Sequence, residues 1–203
     1  MSELGRAQAR QTGWELGDKG ISVVYTSPFL RCLETTRGIL GGMEERRAEL
    51  AQEGGEVVLD QRRSMPGEVR VRVEEGLQEY LNPKWFPVRP LFTHHTRDTL
   101  GGLEPGHQSR LTPVYPETTQ DMLERFLRMS PLLVGSHDEG DAILVVTHGC
   151  GVEGLAVGLL GTSVWEDFFI AEVGFCSLTE VHRREGRWTM GLTASTAHLD
   201  QPQ

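Results

Sequence analysis

The chain has 203 residues, 38% of them apolar, with 24 glycines, 10 prolines and a net charge of −9. That length suits one domain, with or without an insertion, and is enough to bury a core. The negative balance argues against a nucleic-acid-binding surface, and no run of about 18 apolar residues is present to suggest a membrane span. Met1 is followed by Ser2-Glu3-Leu4-Gly5, neither basic nor apolar, so no signal peptide is expected. Cys32, Cys150 and Cys176 are far apart, odd in number and show no C-x-x-C spacing. They are expected to be small buried residues in a reducing, cytoplasmic setting, without a disulfide framework or a zinc site.

In chain order, Ser2 to about Leu16 reads as a helix, with Glu3 in its first turn and Leu4, Ala7 and Gln11 on one face. Ile21-Ser22-Val23-Val24-Tyr25-Thr26 is a β-branched run and reads as a buried strand. Ser27 as N-cap and Pro28 at the first helical position then start a helix through Phe29, Leu30, Leu33, Thr36 and Leu40, which Gly41-Gly42 is expected to stop. Residues 43–67 are charged and irregular, apart from an apolar pulse at Val57-Val58-Leu59, and read as a surface excursion. Val69 to Val73 alternates and predicts a half-exposed strand. Residues 76–119, rich in Pro, aromatics and His, read as a long insertion able to cover a site. Its aromatics Tyr80, Trp85, Phe86 and Phe92 suit a local core better than a substrate wall.

Thr118 or Thr119 caps a further helix through Met122, Phe126 and Leu127. Ala142 to Thr147 is the strongest buried strand, and it leads through His148-Gly149 into an apolar helix, Val152 to Leu160. Gly174–Val181 and Trp188–Leu192, around a charged turn at Arg183–Gly186, read as a terminal hairpin. Residues 1–193 thus form one domain, and 194–203 a frayed tail. Alternating strands and helices predict a three-layer α/β fold, its mostly parallel sheet covered on both faces.

Two segments share one design: Val23-Val24-Tyr25-Thr26 into Ser27-Pro28, and Val145-Val146-Thr147 into His148-Gly149. Both turns open at the carboxyl ends of parallel strands, where such folds bind ligands, and both present a helix N-terminus suited to an anion. Arg31, one turn into its helix, carries a fork of donors that matches phosphate oxygens. His148 at a strand end is placed to donate to an anion or transfer a proton. Gly149 lets the backbone approach a bound group. Glu79, after the Gly76-Leu77 turn, is the candidate acid for a leaving oxygen; Glu74, Glu75 or an acid in the insertion are the alternatives. Singly each residue has an ordinary structural explanation; their joint placement at one sheet edge is what points to a site.

These residues carry a resemblance. Ser2 to Ala9 resembles the (S/T)ExGxxQA helix of the histidine phosphatase, or phosphoglycerate mutase-like, superfamily. Tyr25 to Thr36 is similar to its SPLxRaxxTA segment, and Val145 to Gly149 to its second histidine motif, in the family's order. Val73 to Tyr80, with Leu81 to Phe86, resembles the branch of ubiquitin-ligand suppressors and steroid-phosphate phosphatases, except that Tyr80 stands where that branch has Trp. The resemblance implies phosphoryl transfer through a phosphohistidine, on a phosphorylated small molecule or phosphoprotein, without metal or other cofactor. In it Arg31 is the second arginine, His148 the second histidine and Glu79 the acid.

The family's Arg-His-Gly motif, which holds the nucleophile, normally precedes the helix that here begins at Ser2. His94, His95, His107, His137, His182 and His198 follow no buried strand and are expected to be solvated or locally bonded. The resemblance also places the first strand beside the one ending at His148, so two strands are expected to show unpaired edges. Two functions follow as expectations: a phosphomonoester hydrolase nearly inactive as this chain, or a pseudo-phosphatase that binds phosphate or protein without turnover.

Overall fold

The computed structural model describes residues 1–53, 69–91, 100, 103–161 and 172–200. The Val57–Leu59 pulse, Phe92 and the pair His94 and His95 lie outside them. Three parallel strands, β1 (Ile21–Thr26), β2 (Arg70–Val73) and β3 (Ala142–Val146), form the sheet in the order β2-β1-β3. Helices α1 (Glu3–Leu16) and α2 (Leu30–Gln52) cover one face, and α3 (Thr119–Val134) and α4 (Gly149–Leu160) the other.

β1 serves both layers because alternate residues point to opposite faces, and the slip in its pairing with β3 between Ile21 and Val23 puts Ile21 on the Val24 face. Ile21 and Val24 pack with Ala9, Cys32, Ile39 and Met43. Val23 and Tyr25 pack with Met122, Phe126, Met129, Leu133 and Leu155. The three-layer expectation holds. β1 is paired on both sides, so the edge expectation narrows to β3. Its outer edge has no strand partner among the described residues, and four of its five residues are only half-buried.

Several expected boundaries and faces differ. α1 buries Gln8, Ala9, Thr12 and Gly13, while Leu4 is exposed. The buried face is small because α1 lies almost in contact with the α2 backbone. A Cβ at Gly13 would run into the Ile39 carbonyl, and one at Gly42 into that of Arg10. Gly42 therefore does not stop α2; it lets α1 approach, and the helix continues to Gln52. Its N-cap is Phe29, with no side-chain cap, rather than Ser27, whose hydroxyl is spent on His148.

α3 begins as read, with Thr118 and Asp121 forming a reciprocal capping box. α4 starts at Gly149, earlier than Val152, with His148 at the N-cap. The hairpin strands are shorter and shifted, β4 (Val181–Arg184) and β5 (Arg187–Met190), because Glu185 and Gly186 take positive φ and make the turn there. Residues 194–200 pack rather than fray. Ser195 exchanges backbone bonds with Leu178, Leu199 is buried, and His198 bonds Thr12 of α1. Of the thiols, Cys32 is buried, whereas Cys150 and Cys176 are half-buried.

Candidate functional site

β1 and β3 end side by side, and the Ser27 amide donates to the Val146 carbonyl (2.9 Å). The two strand-to-helix turns therefore face one another at the carboxyl edge of the sheet. β2 leads into a one-turn 3-10 helix, Glu75–Leu77, which delivers Glu79 to the same edge. Arg31, Glu79 and His148 come from three separate segments and meet there. Arg31 donates to Glu79 Oε2 at 3.1 Å and lies 2.9 Å from His148 Nδ1. His148 Nδ1 is 3.4 Å from Glu79 Oε2. At Gly149 an added Cβ would meet only the Val173 side chain, at 3.8 Å.

The His148 tautomer is assigned from its neighbours. A guanidinium only donates, so Nδ1 accepts from Arg31. The ring proton of the neutral imidazole then sits on Nε2 and is donated to Ser27 Oγ, 2.9 Å away. The ring is buried, edge-on to Phe29 at 5.0 Å. Burial pulls its pKa down to about 4; Arg31 and Arg125 add to this, while Glu79 opposes it.

Burial pushes the Glu79 carboxyl up. Charge on His148, the Cys150 thiol, the Tyr80 amide and Arg31 outweigh it and hold the carboxyl below its usual range. Above the imidazole's pKa the first of these is lost, and the thiol, the amide and Arg31 remain. Glu79 is thus an ionised carboxylate, accepting from Cys150 Sγ and Tyr80 N, both at 3.0 Å. Burial raises the Cys32 thiol to about 12, and burial and Glu79 raise that of Cys150. Both thiols are neutral, and Cys32 Sγ lies 3.6 Å from His148 Nε2.

Of the alternative acids, Glu74 is committed elsewhere. Glu74 is fully buried and accepts from the Arg110 guanidinium (2.6 Å) and backbone amide (2.9 Å), with His107 at 3.0 Å. The backbone amide of Glu75 donates to Ser109 Oγ. Of the remaining described histidines, His182 is exposed beside Glu180 as expected, whereas His107, His137 and His198 bond distant segments. His137 bonds the Tyr25 hydroxyl, which also accepts from Arg72 and Arg110.

Sequence reasoning missed Ser27, Cys32, Cys150 and, above all, Arg125. Arg125 sits on the apolar face of α3 between Met122, Phe126 and Met129. A charge at a core position of an amphipathic helix was the signal available.

With this geometry in hand, the family is decided by its own model. The histidine phosphatase superfamily (branch 1) model matches residues 1–53 and 51–196. The chain belongs to that superfamily. Human ubiquitin-associated and SH3 domain-containing protein A is 27% identical over 208 residues, covering 94% of this chain and 28% of its own length. The transcription factor tau 55 kDa subunit of Saccharomyces cerevisiae is 29% identical over 173 residues, covering 79% and 34%. The chain thus spans about a third or less of these relatives.

Among solved structures, the Bombix mori ecdysone phosphate phosphatase in complex with tungstate matches with a TM-score of 0.64 at 21% identity, over 96% of this chain and 71% of that one. A mycobacterial glucosyl-3-phosphoglycerate phosphatase matches at 0.60 and 22%, over 97% and 88%. The phosphoserine phosphatase of Entamoeba histolytica in complex with 3-phosphoglyceric acid matches at 0.59 and 17%, over 98% and 86%. At these identities the likeness is one of fold. Among the described residues no helix is long and apolar enough to cross a membrane.

Proposed function

We propose that Arg31, His148 and the Gly149 amide receive the phosphoryl group of a phosphate monoester, with Glu79 as the acid beside it, and that this chain binds such groups far better than it hydrolyses them. The observation that carries this reading is the meeting of Arg31, Glu79 and His148 within 3.4 Å at the carboxyl edge of a parallel sheet. In a phosphatase superfamily that edge is the natural seat of the phosphoryl group. That a structural neighbour is in complex with 3-phosphoglyceric acid supports a small phosphorylated molecule as the ligand class. A phosphoprotein is the larger version of the same ligand. Three free thiols suit a reducing, cytoplasmic setting.

Arg31 is paired with the Glu79 carboxylate. An arriving phosphate dianion competes for Arg31 and sets a second negative charge against Glu79. Like charge raises a carboxyl pKa, so Glu79 takes a proton from solvent as the anion binds. The neutral carboxylic acid then has a proton to give to a leaving alkoxide as the P–O bond breaks. The attacking group is the weak point. Both nitrogens of His148 are engaged, Nδ1 by Arg31 and Nε2 by Ser27, so this histidine is arranged to donate rather than to attack phosphorus. The same observation favours the second reading, a pseudo-phosphatase that recognises phosphate, free or on a protein, without turnover.

Titration calorimetry with tungstate and with phosphate, beside hydrolysis of p-nitrophenyl phosphate, tests both. The proposal expects anion binding that Arg31→Ala and His148→Ala each abolish or weaken at least about tenfold, the effect of one charge-assisted hydrogen bond. Unchanged affinity in both variants would show that the site has been misplaced. Turnover within the ordinary range for enzymes, about 1 per second or faster, would overturn the binding-only part.

A further inference from the structure

Arg125 and Glu117 form a buried ion pair that no part of the proposed chemistry uses. Both side chains are almost fully buried. Arg125 has five N–H donors and makes five bonds. Nε and NH2 donate to Glu117 Oε1 and Oε2 at 2.6 and 2.9 Å. NH1 donates to the carbonyls of Gly76 and Gln78 at 2.8 and 2.9 Å, and NH2 to that of Glu79 at 3.2 Å. Glu117 in turn accepts from the Leu81 amide at 2.9 Å, while its own amide donates to the Leu81 carbonyl at 3.1 Å.

We infer that this pair is a positioning clamp: it fixes the backbone of residues 76–81 from inside the protein and so holds the Glu79 carboxylate against Arg31 and His148. The inference rests on the phosphate-site reading above. Stability alone does not account for the arrangement, because well-packed apolar side chains of the same volume generally serve a core as well as a buried ion pair. What apolar residues cannot do is satisfy the carbonyls of Gly76, Gln78 and Glu79, which have no strand or α-helix backbone partner among the described residues. One rigid fork does this for Gly76, Gln78 and Glu79 together. Glu79 then needs only its side-chain bonds to Tyr80 N and Cys150 to fix where its charge stands. The charged and titratable groups facing this point are His148 and Cys150 at the start of α4 and Arg31 and Cys32 from α2, with Arg125 of α3 beside His148.

The test compares Arg125→Lys and Glu117→Gln with Glu79→Gln, using the whole chain. Leu133→Ala, a core variant of α3 away from the loop, controls for simple loss of stability. Two signals are read. Nitrogen NMR of the His148 ring reports its tautomer and pH midpoint, without any ligand. Tungstate affinity as a function of pH reports proton uptake by Glu79, because this anion keeps its charge across neutral pH. The wild type is expected to lose affinity with rising pH, by at most about tenfold per unit, the limit for one linked proton. Glu79→Gln removes that dependence and moves the His148 midpoint.

Both clamp variants should shift the two signals in the Glu79→Gln direction, whereas Leu133→Ala lowers the melting temperature and moves neither. If Arg125→Lys does not fold, Glu117→Gln, which keeps the side-chain shape and the five Arg125 donors but exchanges one acceptor oxygen for a donor, decides alone. Clamp variants that melt early yet keep the wild-type ring signals and tungstate profile overturn the inference and leave the site reading standing. Should the wild type bind no tungstate and Glu79→Gln leave the ring unmoved, the site reading fails, and the positioning role fails with it.

Discussion

Arg125–Glu117 and Arg31–Glu79 are the same chemical pair in two settings. The first is sealed, with side-chain exposures of 3% and 1%; the second lies at the surface, with 53% and 23%. All five donors of Arg125 are used inside the protein. Arg31 meets Glu79 through one amino group, which also faces His148. Its guanidinium otherwise lies over the Phe29 ring, at 4.6 Å. A buried guanidinium with every donor satisfied has nothing to offer a ligand and is costly to disturb. A half-exposed one, held through a single amino group, is easily captured by a better anion. Burial, not residue type, separates a structural pair from a binding pair here.

The widest gap is expected in stability. Glu117→Ala leaves the Arg125 charge buried without its partner and should cost about 3–5 kcal/mol in urea unfolding. Arg31→Ala should change stability by less than about 1 kcal/mol. Equal losses in the two variants would erase the distinction.

Acid unfolding comes next. His148 is neutral in the fold, with a pKa of about 4 against an ordinary value of 6.5. Between these values the unfolded chain binds the proton and the folded one does not, so stability is full above pH 6.5 and falls as pH drops toward 4. The shift corresponds to about 3 kcal/mol, and Glu79, held below its usual range, adds a further loss at lower pH. His148→Gln should flatten the first part of that slope in pH-dependent denaturation; an unchanged slope would mean the ring is not buried as described.

Anion affinity singles out the exposed pair from the core. Arg31→Ala should weaken tungstate binding about 10- to 100-fold at pH 6, while Leu133→Ala leaves it unchanged. Cys150→Ala should have the smallest effect. It removes one donor from Glu79, lets that carboxyl rise toward its usual range, and changes tungstate binding energy by no more than about 1 kcal/mol.

Most of this architecture was legible in the sequence, for a physical reason. β1, β3 and the turns after them are local patterns: apolar runs followed by Ser27-Pro28 or His148-Gly149. Arg31, Glu79 and His148 could be placed at one edge because parallel strands share a direction. The capping box at Thr118 and Asp121 is likewise a four-residue signal. What could not be read depends on contacts between distant segments. Gly41-Gly42 looks like a helix stop unless α1 is known to press on Gly42. The tail looks loose unless Thr12 is known to meet His198. The role of Arg125 is invisible until its guanidinium is seen to meet the carbonyls of Gly76, Gln78 and Glu79, 46 to 49 residues away.

The seam where Gly13 meets Ile39 and Gly42 meets Arg10 has a genetic consequence. Any side chain at either glycine must push α1 and α2 apart. Gly42 lies eleven residues along α2 from Arg31, or about 16 Å of helix rise. A screen for conditional alleles should therefore return substitutions at these two glycines alongside those in the pocket. Such alleles would work in the cold and fail when warmed, far from the phosphate they fail to hold.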